Sequence, residues 1–428
     1  MNCALPDSRV IPVSILFGAC NEMTTMLSQS QTVLISLLAK GLFGNTQPLP
    51  ETVDWESVMR EAEQNAVLTQ VFPAAQPFLP EQIAQKAVSR FYQYLANNVR
   101  VHLAHGSLHQ ILQNAQIPYV VIKGSASARY YSEPGLRIMG DIDIYVQKDR
   151  LEDVDALLLQ SGYQLKNRVH QNHWSYEKDG LETEVHWAVG GVPVGSLATF
   201  QPLFADLIEG ATLGNVMDNP MMLPDDFHHG LVILLHMISH LTSGGIGLRH
   251  LLDWIVFERF FSEAEFSSMF QAKLQAIGLW EFARTVSAIG TLYFGCEARG
   301  YSEDVEPELA DCLLADVLNG GNFGVKDKNR VLQSKFFRNE ENRQISGRPT
   351  LGKAFGFLNR RARQLMPSAK RCPLLLPIGW IRVAHMLHKT RKTKQLLRVD
   401  WSQTMSGARE RAKLYEQFHF FETQDSNE

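Results

Sequence analysis

Between Ser28 and Gln116 apolar residues recur at every third or fourth position, in "SQTVLISLLAKGLF", in "TVDWESVMREAEQNAVLTQVF" and in the long run "PEQIAQKAVSRFYQYLANNVRVHLAHGSLHQILQNAQ" that opens at Pro80. That period gathers the apolar side chains of each run on one helical face. Thr52 or Asp54 can cap the second run and Pro80 suits a first helical turn, so the pattern predicts an N-terminal helical region over 28–116. The period then shortens. "IPYVVIK" is brief, apolar and β-branched, "GDIDIYV" alternates with period two, and "KDRLEDVDALLLQSGY" is an amphipathic helix ending at Gly162. "YQLKNR", "HWSYEK" and "LETEVHWAV" read as strands, the last two joined by the turn residues Asp179 and Gly180.

A compact mixed sheet with one or two helices is therefore expected over 117–200. Beyond a Gly/Pro-rich connection, helical periodicity returns from about Pro224 to Asn319, most clearly in "PDDFHHGLVILLHMISHL" and "GLRHLLDWIVFERFF", and a helical domain is expected over 201–325. The linker "GGNFGVKDKN" follows, and 326–428 reads as a basic helical region: Arg343 to Val399 holds fourteen Lys and Arg and no Asp or Glu. Residues 1–27 read as a poorly ordered extension. The fold class expected is α+β, a small mixed-sheet core flanked by N-terminal and C-terminal helical regions, with no internal repeat.

Composition narrows the partners only a little. With 428 residues, 45% of them hydrophobic, the chain can build two or three domains. A net charge of −4 argues against a surface that grips nucleic acid everywhere, while leaving local patches free to do so. The odd, scattered set Cys3, Cys20, Cys296, Cys312 and Cys372 offers no disulfide framework and fits a reducing, cytoplasmic setting. No stretch reaches the about 20 apolar residues of a membrane span, and Asp7 sits badly in a signal-peptide leader.

The chemistry lies in the sheet. Asp141 and Asp143 are two apart, so on a strand they share a side at roughly 6–7 Å. Two carboxylates so placed repel unless a cation joins them, and oxygen-only ligands suit Mg²⁺ or Mn²⁺. Glu182, Glu184 and His186 share one face of a later strand, and Glu184 can complete a three-carboxylate set if that strand lies beside the first. Such a set can hold two metals about 3.5–4 Å apart, the arrangement that phosphoryl and nucleotidyl transfer requires. Gly124 and Ser125 stand where strand turns to helix, a place at which backbone approaches phosphate.

Apolar strand, Gly-Ser, helix, Asp-x-Asp and a third acid together resemble the DNA polymerase β-type nucleotidyltransferase superfamily. "IPYVVIKGSASARYYSEPGLRIMGDIDIYV" with "EVHW" more closely resembles the group described as uncharacterised bacterial nucleotidyltransferases. The likeness extends more loosely through "HMISHL", "GLRHLLDW" and "PLLLPIGWIRV", and so over most of the chain after about Asp54. It implies Gly124 and Ser125 at the triphosphate, Asp141 and Asp143 as metal ligands, and Glu184 as the third acid, which assists the attacking hydroxyl. Two departures stand out: a longer gap from Ser125 to Asp141, expected to be filled by one extra helical turn, and Glu where Asp is common.

Around this set, Lys123 and Arg137 can neutralise triphosphate charge or form structural ion pairs. His186 and Trp187 can stack near the site or pack as a pair. His236 and His240 have the four-residue spacing of a zinc pair, but Met237 breaks the His-Glu-x-x-His pattern and favours a pocket-lining role. Arg249, His250 and Asp253 can approach the nucleotide, or Asp253 can hold Arg249. The basic C-terminal run is a solvated or packing face, with contact to RNA or another anionic acceptor as the sharper reading. The functions weighed are a metal-dependent transfer of an NMP from an NTP to a hydroxyl of protein, RNA, sugar or small molecule, a non-catalytic nucleotide-binding regulator, and an Asp-x-Asp glycosyltransferase. The last is disfavoured by the hundred or so helical residues before the first strand.

Overall fold

Ser28 accepts a hydrogen bond from the Gln31 amide and the Gln31 side chain returns one to Ser28, a reciprocal cap that starts α1 (Gln29–Phe43). The computed structural model describes residues 27–170, 172–193, 197–338, 351–390 and 400–422, so the expected extension at 1–27 falls almost wholly outside the described residues. Next come α2 (Trp55–Gln64), α3 (Leu68–Ala75) and the long α4 (Glu81–Asn114). The periodic run from Thr52 to Phe72 is thus two helices and not one. Ala66 turns the chain with φ 56°, while the Asn65 carbonyl accepts the Arg249 amide at 3.3 Å. Neither Gly nor Pro marks this break, and the apolar stripe carries on across it.

The sheet segment runs β1 (Val120–Val121), α5 (Ser125–Ala128), β2 (Ile142–Tyr145), α6 (Leu151–Gln160), β3 (Gln164–Asn167), β4 (His173–Lys178) and β5 (Leu181–His186). Strand order is β1-β2-β5-β4-β3. β2 and β5 are parallel and adjacent, while the other neighbours are antiparallel. Asp179 and Gly180, with φ 53° and 73°, make the two-residue turn between β4 and β5. The architecture is the α+β one expected, a small mixed sheet flanked by helices.

After α7 (Leu197–Phe200) comes a hairpin that the sequence pattern does not reveal, β6 (Thr212–Val216) and β7 (Asn219–Leu223). Gly210, Gly214 and Pro220 make this stretch read as a connection, yet Met217 and Asp218 adopt φ 50° and 60°, the left-handed pair of a tight hairpin turn. Val216, Met221 and Leu223 bury against α4 and the sheet, in a core that includes Val101, Leu108, Leu112, Ile142, Ile144 and Val185.

A larger helical core is built by α8 (Asp226–Leu241), α9 (Leu248–Glu258), α10 (Glu263–Ala276), α11 (Trp280–Phe294) and α12 (Pro307–Gly320), together with α1 to α3. α13 (Arg330–Phe337), α14 (Leu351–Leu365), α15 (Ser368–Arg371), α16 (Leu376–Thr390) and α17 (Trp401–Glu416) complete the chain. Arg411 of α17 donates to the carbonyls of Leu241 and Ser243, which ties the C-terminal helix to the end of α8. Part of the basic run, at 339–350 and 391–399, lies outside the described residues; within them, Arg361, Arg363 and Arg382 are exposed. Among the described residues no helix is long and apolar enough to cross a membrane.

Candidate functional site

Parallel pairing of β2 with β5 sets Asp143 level with Glu184 as direct lateral neighbours, so their side chains leave the same face of the sheet. Asp141 stands two residues before Asp143, just ahead of the strand. Carboxylate oxygens of Asp141, Asp143 and Glu184 all lie within 4.8 Å of one another. They face a cavity of about 810 Å³ between the sheet and the helical core.

Charge is concentrated here. Asp143 is buried, with 3% of its surface exposed, and accepts hydrogen bonds from the Lys123 ammonium at 2.6 Å and from His186 Nε2 at 2.9 Å. Burial alone would raise its carboxyl, but Lys123 and His186 more than offset this and hold it well below the usual range. Burial would likewise depress the Lys123 ammonium, and the charges of Asp143 and Asp141 lift it above the ordinary lysine value. Asp141 is the least compensated member: the charge of Asp143, then desolvation, outweighs the charge of Lys123 and pushes its carboxyl up to about 6. Three converging carboxylates, one of them destabilised in its ionised form, suit a divalent cation, whose charge would relieve that repulsion.

The chain before β2 is clamped from several sides. Its insertion is a short 3₁₀ turn, Pro134–Leu136, and irregular chain from Arg137 to Gly140, where one extra helical turn was expected. Asn98 donates to the Gly135 carbonyl at 2.7 Å and accepts from the Met139 amide at 2.8 Å. Arg249 donates to the Ile138 carbonyl at 2.8 Å. Asn98, and Asn97 donating to the Met139 carbonyl at 3.2 Å, are therefore part of the site's frame, although in sequence they look like ordinary polar positions on a helix.

Arg137 is buried and forms a bidentate pair with Asp253 of α9, at 2.7 and 2.6 Å, which Tyr131 joins through its hydroxyl at 2.9 Å. Asp253 thus holds Arg137, not Arg249 four residues before it. Gly124 lines the cavity with φ +57°, a conformation a side chain would strain. Ser125 is fully buried, its hydroxyl meets His102 Nδ1 of α4 at 3.2 Å, and neither residue lines the cavity.

On β5, Glu182 is exposed at the cavity rim, while Trp187 packs edge-on against Trp174 at 5.8 Å. His186 reaches Glu184 as well as Asp143, at 3.1 Å. His173 on β4, directly opposite His186, approaches Glu184 at 3.3 Å. The sequence held a signal for His173: a two-residue turn at Asp179–Gly180 fixes the register, and counting back from it places His173 across from His186.

The helical wall carries His236, His240, Arg249 and His250. His236 lies 4.5 Å from His240 and stacks on His250 at 5.4 Å, ring centre to ring centre, and Phe323 packs edge-on to His240 at 4.9 Å. Desolvation holds His236 and His250 well below the usual histidine value, so both are neutral rings. Among the described residues, these histidines join no group of three convergent metal-ligating atoms.

Comparison with known proteins places this geometry in a family. Among solved structures, the chain is similar to an antigenic nucleotidyltransferase-like protein from Paracoccidioides brasiliensis, with 16% identity, 43% of this chain and 91% of that chain covered, and a TM-score of 0.28. No curated protein matches the chain. A family model described as uncharacterised nucleotidyltransferase matches residues 51–295, more than half of the chain and the whole span that carries the carboxylates, their clamps and the histidine wall. On that match the chain belongs to the uncharacterised nucleotidyltransferase family.

Proposed function

We propose that this protein is a metal-dependent nucleotidyltransferase of the polymerase β type, transferring an NMP from an NTP to an acceptor hydroxyl with release of pyrophosphate. The observation that carries this reading is the level pairing of Asp143 and Glu184 on adjacent parallel strands, with Asp141 alongside and Gly124 at the same cavity floor. Asp141, Asp143 and Glu184 would hold Mg²⁺ or Mn²⁺, which supplies charge neutralisation at the phosphates and a more acidic attacking hydroxyl.

The acceptor oxygen forms a bond to the α-phosphorus as the bond from that phosphorus to the pyrophosphate oxygen breaks. Glu184 takes the hydroxyl proton, and its two histidine neighbours keep the carboxylate oriented toward it. Lys123 brings a positive charge to the floor where the polyphosphate would lie, and Gly124 lets the backbone approach it. Arg137, bound through Nε and Nη2 to Asp253, acts through the loop it holds rather than at the phosphates. An RNA acceptor would find cations at Arg361, Arg363 and Arg382, and the cysteine pattern supports a cytoplasmic setting.

The test is incubation of the purified protein with each NTP radiolabelled at the α-phosphate, Mg²⁺ or Mn²⁺, and cell extract, beside an Asp141→Asn, Asp143→Asn double variant. Label moved to a product by the wild type alone supports the reading and identifies the acceptor. Metal-dependent nucleotide binding with no transfer and no pyrophosphate release from any nucleotide would count for the non-catalytic regulator instead.

A further inference from the structure

Glu184 is shared. On one side stand the oxygens of Asp141 and Asp143; on the other stand two imidazoles, His173 from β4 and His186 from β5. His173 Nε2 lies 3.3 Å from Glu184 Oε1, and His186 Nε2 lies 3.1 Å from Glu184 Oε2. The ligating atoms of His173, Glu184 and His186 all fall within 4.8 Å of one another, the same convergence shown by the three-carboxylate set.

This juxtaposition is a product of register. His173 and His186 are direct cross-strand partners, and Glu184 lies two residues from His186 on the same face, so two adjacent strands deliver the three donors together. The rings sit 4.8 Å apart, centre to centre, and His170 stacks on His173 at 3.9 Å, which restricts the His173 ring. Both histidines and Glu184 line the cavity, so an ion has a path in.

One imidazole is enough to orient a carboxylate. Two imidazoles and a carboxylate make a donor set of a different chemical character from the all-oxygen one beside it. Imidazole nitrogen suits Co²⁺, Ni²⁺, Zn²⁺ and other borderline ions far better than it suits Mg²⁺. A carboxylate with two oxygens can serve both sets, which is how paired-cation centres are built at separations of about 3.5–4 Å.

We propose that His173, Glu184 and His186 form a second cation site, selective for a borderline transition ion and joined through Glu184 to the Asp141–Asp143 set, the ion displacing to solvent the proton that His186 Nε2 otherwise donates to Asp143. The proposal rests on the nucleotidyltransferase reading only through that shared glutamate, and it is tested by binding rather than by turnover. The two positions differ in kind: a hard site of carboxylates that accepts Mg²⁺, and a mixed site that does not.

The experiment is titration of the full-length, metal-free protein with Co²⁺, followed by calorimetry and by visible d–d absorption, with X-ray absorption on the loaded wild type to read the ligands. The expected result is a Co²⁺ site with imidazole scattering that Mg²⁺ does not displace. His173→Gln should weaken it by more than about 100-fold, since even outer-sphere partners of a ligand typically cost about 10–100-fold. Mg²⁺ binding, measured on the same variant, should persist. Co²⁺ bound without imidazole scattering, or His173→Gln binding Co²⁺ as the wild type does, overturns the proposal. If the variant does not fold, the wild-type absorption spectrum decides alone. Imidazole ligation without nucleotidyl transfer would remove the transferase reading and leave the site standing; transfer supported by Mg²⁺ without imidazole ligation would do the reverse.

Discussion

The ion pair between Arg137 and Asp253 joins the loop that delivers Asp141 to helix α9, and its removal is the sharpest test of how the site is held. Side-chain exposure is 6% for Arg137 and 7% for Asp253, so neither charge can be rescued by water. Breaking such a pair from one side typically costs about 3–5 kcal/mol, because the remaining charge stays buried and unpaired. Arg137→Met leaves Asp253 with only the Tyr131 hydroxyl, and should cost toward the lower end of that range. Asp253→Leu should cost more: it leaves Arg137 beside Arg249, whose guanidinium burial, and then the charge of Arg137, already depresses. The double variant removes both charges and should sit about 1–3 kcal/mol below the wild type, chiefly through the orphaned Tyr131 hydroxyl. Urea unfolding followed by circular dichroism and by tryptophan fluorescence measures these losses, and coincidence of the two probes tests two-state behaviour. Single variants within about 1 kcal/mol of the wild type, or a double variant whose loss equals the sum of the singles, would refute the claim that this pair is a buried, coupled clamp.

Three further outcomes follow from particular contacts. Asp141, pushed up to about 6, is protonated below that pH and ionised above it, so Mg²⁺ affinity measured by calorimetry should rise as pH increases through about 6; Asp143→Asn should lower the Asp141 carboxyl toward its ordinary value, read by carboxyl ¹³C shifts, and an unmoved shift would contradict the electrostatic account. Glu258 is fully buried with its carboxyl raised to about 7 from 4.5, chiefly by desolvation. The folded state therefore holds a proton that the unfolded chain has released, and stability should fall by about 3 kcal/mol as pH rises from about 4.5 to 7, then level off. Glu258→Gln should flatten that profile, and a wild-type profile already flat over the window would count against a buried neutral carboxyl. Gly230→Ala should destabilise by about 1–3 kcal/mol despite the better helix propensity of Ala, because its Cβ would come within 2.5 Å of the Phe270 ring and 2.7 Å of Phe257; a gain in unfolding midpoint would show that these rings yield.

Much of the site was legible because its signals are local. The change from period three or four to period two located the sheet segment, and two-residue spacing put Asp141 and Asp143 on one side. The turn at Asp179–Gly180 was readable, and with it the partnership of His173 and His186, although only His186 was singled out. The hairpin of β6 and β7 was not readable, since Gly214 and Pro220 obscure its alternation and its stability comes from packing on α4. The break at Ala66 was equally hidden, because the apolar stripe keeps its phase across it and the reason for the turn lies in the contact with α9.

What the sequence alone determined are relations carried by a few consecutive residues: helical faces, strand alternation, tight turns, and the presence of Gly124, the paired aspartates and a later acid. What only tertiary structure decided are relations between segments. The parallel pairing that sets Asp143 level with Glu184 depends on which strands share a core, and one residue of slippage would turn Glu184 to the opposite face. The choice of Asp253 as partner for Arg137, 116 positions away, depends on the burial of both groups, since a buried charge takes whichever opposite charge the packing brings within reach. Ser125 shows the same division: its place after the strand is written in the chain, but the direction of its hydroxyl, toward His102, follows from α4 covering that side of the sheet.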